Sequence, residues 1–118
     1  MNSFKMMVLL FLSISFSSTA ADIGLRKNQP FTEARIFLLS SKWKPLKVHS
    51  TKDDYLNSNV NEDLVKLGFI EAFACSVDTS NCDFFYKKNG KCLRVDAVGE
   101  EIKYMKIVRW SEECPPRE

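Results

Sequence analysis

The sequence has few of the residue arrangements on which hydrolytic or metal chemistry is built. It holds one histidine, His49, and its four glycines (Gly24, Gly68, Gly90 and Gly99) are isolated, so no glycine-rich loop is available to cradle a phosphate. G-x-S-x-G and C-x-x-C are both absent. His49 stands beside Ser50, but neighbours on a strand point to opposite faces, and a nucleophile–base pair needs hydrogen-bond reach and an orienting acid. An exposed or capping histidine is the expectation. The carboxylate pairs Asp53-Asp54, Glu100-Glu101 and Glu112-Glu113 are adjacent, whereas a glycosidase dyad comes from separated positions facing across a cleft. They read as solvated charge. The expected protein is not an enzyme, and it needs no cofactor and no metal.

An excess of either charge is also lacking. Lys5 lies in an N-terminal segment that reads as an export signal, and without it 16 Lys and Arg face 15 Asp and Glu. So small a surplus gives no overall electrostatic case for nucleic acid or a membrane surface. The signal reading rests on Lys5, the apolar run Met6–Phe16 and the small residues of "SSTAAD". Cleavage after Ala20 or after Ala21 fits equally, giving a signal over residues 1–20 and one domain over residues 21–118. The apolar run is shorter than the ~20 residues needed to span a bilayer. No cysteine lies near the cleavage point, so the expectation is a periplasmic, unlipidated protein with no membrane insertion after cleavage.

What the chain does have is four cysteines, Cys75, Cys82, Cys92 and Cys114, an even number in a small exported chain. Their spacing lacks the short knuckles of a zinc site, so two disulfides are expected. "CDFFYKKNGKCLRV" (residues 82–95) decides the pairing. Asn89-Gly90 is a two-residue turn signal, which sets Lys88 against Lys91, Tyr86 against Leu93, Phe84 against Val95 and Cys82 against Ala97. The last six share an apolar face, the predicted core side. Asp83, Phe85, Lys87, Cys92, Arg94 and Asp96 fall on the other face, so Cys82 and Cys92 point apart. The predicted bridges are Cys75–Cys82 and Cys92–Cys114, contributing about 2.5 and 3.5 kcal/mol by the chain-entropy model.

Pro30–Trp43 reads as the main helix, with Phe31, Ala34, Phe37 and Leu38 as its apolar stripe, Ile36 and Leu39 widening it, and Arg35 beside it. Leu46–Ser50 alternates like a first strand, and residues 51–59 read as polar loop. Asn59 with Glu62 suggests a capped short helix ending at Gly68. "FIEAFACS" reads as a strand ending at Cys75, with helix extension as the alternative. Glu101–Trp110 is the last strand. A Gly99-Glu100 turn would send Ile102, Tyr104, Val108 and Trp110 inward, and a one-residue slip would bury Met105 and Ile107 instead. The first register is preferred. The fold class is α+β: an N-terminal helix packed on a small antiparallel meander, stapled by two disulfides.

The frame "ARIFLL…WKPL", "CDFFYKKNGKCLRV", "GEE…VRW" and "CP" resembles a set of small exported bacterial proteins with no assigned activity, over nearly the whole mature chain. The fold is similar to small helix-on-sheet modules of bacterial enzyme inhibitors and envelope assembly factors, a likeness of architecture alone. Surface recognition remains as a function. The outer hairpin face places Phe85 among Lys87, Arg94, Asp83 and Asp96, an aromatic and cationic group of the kind that anchors interfaces. Phe85, Arg94 and Lys87 are the expected binding residues, and another envelope protein is the expected partner. An inhibitor or immunity-type protein acting by occlusion fits this design. The alternative is a structural envelope module or a small-ligand carrier, for which a preformed apolar pocket would be the sign.

Overall fold

The computed structural model describes residues 23–116; the predicted export signal lies outside them. Element order is α1 (Phe31–Ser40), β1 (Lys44–Pro45), α2 (Lys52–Asn57), α3 (Glu62–Lys66), β2 (Ala72–Cys75), β3 (Asn81–Lys88), β4 (Lys91–Val98), a 3-10 turn (Ile102–Tyr104) and β5 (Lys106–Ser111). The strands form one antiparallel sheet, β1-β3-β4-β5, with β2 also pairing with β3. The α+β class holds, with the disulfides Cys75–Cys82 and Cys92–Cys114 in place.

The β3–β4 hairpin follows the register set by its turn. Lys88 faces Lys91, and each pair follows down to Cys82 against Ala97. Asn89 and Gly90 both adopt positive φ, as such a turn demands. Cys82, Phe84, Tyr86, Leu93, Val95 and Ala97 are all buried on the inner face. There α1 covers them: Phe31 stacks on Phe84 with centroids 4.1 Å apart, and Ala34 and Leu38 complete the buried stripe. The helix is shorter and its apolar stripe narrower than expected. Ile36 is exposed, Phe37 and Leu39 are partly so, and Trp43 lies beyond the helix end.

Three other expectations are corrected. The first strand is Lys44–Pro45, not Leu46–Ser50, because the chain touches the β3 edge only as far as Leu46 N–H donating to Phe85 O. Residues 52–57 form a helix rather than loop: Thr51 caps it by accepting from Asp54 N–H, and Tyr55 is buried under it. α3 is capped by Asn61 rather than Asn59.

The last strand takes the other register. Met105 and Ile107 are buried, while Tyr104 and Lys106 are exposed. The β4–β5 connection is not a two-residue turn but runs from Gly99 through the 3-10 turn to Met105. It closes tightly, since a Cβ on Gly99 would stand 2.7 Å from Met105 Cα. A bulge then shifts the pairing, so that Ile107 faces Ala97 while Trp110 faces Val95. Both residues thereby meet the inner face, which strict alternation forbids.

Candidate functional site: a lysine-lined groove at the hairpin tip

The outer hairpin face does not present the three expected residues together. Phe85 points away from α1 as predicted, yet it is only 1% exposed. The reason lies in β2. Its pairing with β3 slips between Ala72 and Ala74, leaving Phe73 as the bulged residue. The Phe73 ring meets Phe85 edge-on at 5.8 Å and stacks on His49 at 5.3 Å, and His49 meets Tyr55 at 4.5 Å. A file of rings thus covers the outer face at this end. His49 is buried within it, not exposed, with Nε2 2.6 Å from Phe73 O. Phe85 is a core residue of a second, smaller apolar layer.

Arg94 is committed to structure. Its guanidinium donates to Asp96 Oδ1 at 3.2 Å and lies 3.8 Å from both Asp83 Oδ2 and Glu113 Oε2. Arg109 Nε donates to the other Asp96 oxygen at 2.9 Å, so this buried carboxylate is held by two arginines. Burial works against the Arg94 charge, but the Asp96 hydrogen bond and the fields of Asp96, Asp83 and Glu113 outweigh it and raise its pKa. Burial also raises the Asp83 carboxyl, and the facing Asp96 adds to this. The hydrogen bond from Ala74 N–H and the charge of Arg94 only partly offset the rise. The Cys92–Cys114 bridge holds the neighbouring Glu113 beside this cluster.

Lys87 belongs elsewhere. It lines a groove of about 510 Å³ with Lys42, Lys44, Pro45, Leu46, Lys88, Asn89 and Gly90. Two short runs build it: "KWKPLK" (residues 42–47) and "KKNGK" (residues 87–91). Pairing of β1 with β3 brings them side by side, with Lys44 directly across from Lys87. Two lysines in opposed positions repel at close range, and a second like-charge pair, Lys88 against Lys91, closes the hairpin. No ion pair among the described residues involves Lys42, Lys44, Lys87 or Lys88. Lys88 Nζ instead lies 5.9 Å from the centre of the Trp43 ring.

Lys42 adds a third local conflict. α1 ends with Trp43 N–H donating to Leu38 O and Lys42 N–H to Leu39 O, which places Lys42 in the left-handed conformation at φ 74°. Glycine is the residue that takes this cap without steric cost. Three local conflicts at or beside one groove, the pairs Lys44–Lys87 and Lys88–Lys91 and the left-handed Lys42, therefore involve lysine where another residue would be more stable. Sequence reasoning singled out Lys87 but missed Lys42, Lys44 and Lys88. The two lysine runs were visible, but not that the sheet makes them neighbours.

Compared with known protein families, curated proteins and solved structures, the chain matches none.

Proposed function

We propose that the chain is an exported binding module that acts by covering a surface of another protein, and that the lysine-lined groove makes the contact. The observation carrying this reading is the opposition of Lys44 and Lys87 with no carboxylate in the lining. Places where a local rule is broken are where functional surfaces are expected, and the repulsive pair is read in that way here. Rigidity supports the same reading, since the hairpin is locked by its turn, by both disulfides and by apolar layers on both faces. A preorganised surface loses little entropy on docking. For carriage of a small ligand the support is thin: the apolar hollow among Tyr55, Val65, Gly68, Phe69 and Ile70 offers only about 40 Å³, and the larger hollow of about 470 Å³ at Leu67 and Ile102 is open and lined otherwise by the charged Asp63, Lys66, Glu101 and Lys103.

Affinity capture from a periplasmic extract tests the proposal, using the tagged mature protein beside its Lys44→Glu/Lys87→Glu variant. One stoichiometric protein partner retained by the wild type and lost by the variant is the expected outcome. Capture of no protein by the wild type contradicts the binding reading, and equal capture by both contradicts the placement of the site.

A further inference from the structure

The groove has more than charge. Lys44 on β1 and Lys87 on β3 fall to the outer side of the sheet, Pro45 and Lys88 to the inner side, and Lys42 precedes the strand; Pro45 and Leu46 are half-buried members of the lining. No arginine lines it. Lysine is a point charge that attracts carboxylate and phosphate alike, but sites specific for phosphate usually add the planar, bidentate guanidinium or a cup of backbone N–H groups, which favours carboxylate here. Trp43, the aromatic residue at the rim, is buried rather than offered as a stacking platform, which disfavours single-stranded nucleic acid. The edge itself is closed to strand addition: β1 ends the sheet order, and it consists of a lysine and a proline, which has no N–H to donate. Recognition here must run through side chains.

We propose that the groove receives an extended acidic segment of a partner protein, in which carboxylates flank an aliphatic side chain. The carboxylates meet Lys44 and Lys87, which share the outer side, with Lys42 and Lys88 flanking them in the lining, and the aliphatic group rests on Leu46. The proposal rests on the protein-binding reading above and names the chemistry of the partner. It explains why the lysines are unpaired among the described residues: the missing counter-charges arrive with the ligand. It also requires salt sensitivity, because the groove is open and its charges are screened over about 10 Å at moderate ionic strength.

The test is a nuclear magnetic resonance titration of the isotopically labelled mature protein at low salt. The probe is a short N-acetylated peptide alternating glutamate and leucine. Saturable shifts confined to residues 42–46 and 87–91 are expected, weakening about tenfold on moderate salt. The glutamine–leucine peptide and a glutamate-only peptide should each bind about tenfold more weakly, having lost the charges or the aliphatic contact. Lys44→Glu/Lys87→Glu should abolish the shifts and Lys44→Gln/Lys87→Gln weaken them, both variants keeping the wild-type spectrum elsewhere. The proposal is overturned if the glutamine peptide binds as well, if shifts map outside the groove, or if inorganic tripolyphosphate or phosphatidylglycerol vesicles saturate the same residues more tightly. Failure here together with a captured partner lost in the charge-reversed variant rejects the acidic-segment chemistry and leaves the binding reading standing. Peptide binding with no captured partner does the reverse.

Discussion

Lys44 and Lys87 face each other across the β1–β3 pair at the open end of the sheet. The relationship is unfavourable in itself, because like charges directly opposed on a sheet repel. Nearby sequence could relieve it but does not: residues 42–52 and 84–95 contain no acidic residue. The carboxylates of the outer face are gathered one step away, where Asp83, Asp96 and Glu113 surround Arg94. Charge is thus segregated on a nearly neutral chain, with carboxylates gathered around arginine beside a groove lined by lysines and no carboxylate.

The covered outer face makes a stability prediction. Phe84 and Phe85 project to opposite sides of β3, and both are buried. Phe84→Ala and Phe85→Ala should each destabilise by about 3–5 kcal/mol, measured by urea unfolding. Phe73→Ala, truncating the half-buried ring that covers Phe85, should cost less. An unchanged midpoint for Phe85→Ala would contradict the second apolar layer.

A buried ion pair gives an asymmetric outcome. Arg35 Nε donates to Glu71 Oε2 at 2.6 Å, with the Glu71 side chain fully buried and that of Arg35 21% exposed. The guanidinium lies 4.2 Å from the Phe69 ring centre. The Tyr86 hydroxyl sits within the field of the pair without a hydrogen bond of good geometry, and burial followed by the Glu71 charge drives its pKa well up. Arg35→Met strands a buried carboxylate and should cost about 3–5 kcal/mol. Glu71→Gln should cost less than half of that, since Arg35 keeps its ring contact and reaches water. The double variant Arg35→Met/Glu71→Met should recover most of the loss. Denaturant unfolding of the three proteins checks the order.

The Asp83 carboxyl gives a pH dependence. Its folded pKa is raised by burial, so the folded state holds its proton more tightly than the unfolded chain. Ionisation therefore weakens the fold as pH climbs from the unfolded carboxyl value, about 3.9, through the higher folded one. Asp83→Asn removes that loss and can still accept from Ala74 N–H. The stability of Asp83→Asn relative to wild type should rise with pH across this window and level off above it. A relative stability that falls with pH would show that the Arg94 charge outweighs burial at this site.

How far the fold could be read depended on whether a rule was local. The Asn89-Gly90 turn fixes the hairpin register, the register separates Cys82 from Cys92, and both disulfides follow. The α1 core residues Phe31, Ala34 and Leu38 follow from periodicity. The rest was hidden in irregularities. A bulge at Phe73 turns a ring onto Phe85, and another in β5 lets Ile107 and Trp110 share a face. Neither bulge has a local signature in the sequence. Residues 51–57 look like loop because their polar side chains face water, while Tyr55 alone anchors the helix by donating to Ile70 O at 2.6 Å. At the site, Lys87 was legible as an outward residue of the hairpin. Its neighbour Lys44 comes from a strand two residues long, too short for periodicity to reveal, and Lys42 sits in the turn that ends α1.

Glycine at the α1 cap separates fold from function. Lys42→Gly relieves the left-handed lysine and should stabilise by up to about 1 kcal/mol, while removing one cation from the groove. Thermal unfolding should show a higher midpoint, and affinity for the captured partner should fall.

The most direct measurement compares Lys87→Glu with the wild type in unfolding and partner binding under the same conditions. The substitution turns the Lys44–Lys87 repulsion into a cross-strand attraction, so stability should hold or rise by about 0.2–1 kcal/mol. Binding should fall at least about tenfold, a difference of about 1.4 kcal/mol. A protein that is more stable and no longer binds is the predicted result. Retained binding by a well-folded Lys87→Glu protein would contradict the claim that this groove is where the molecule works.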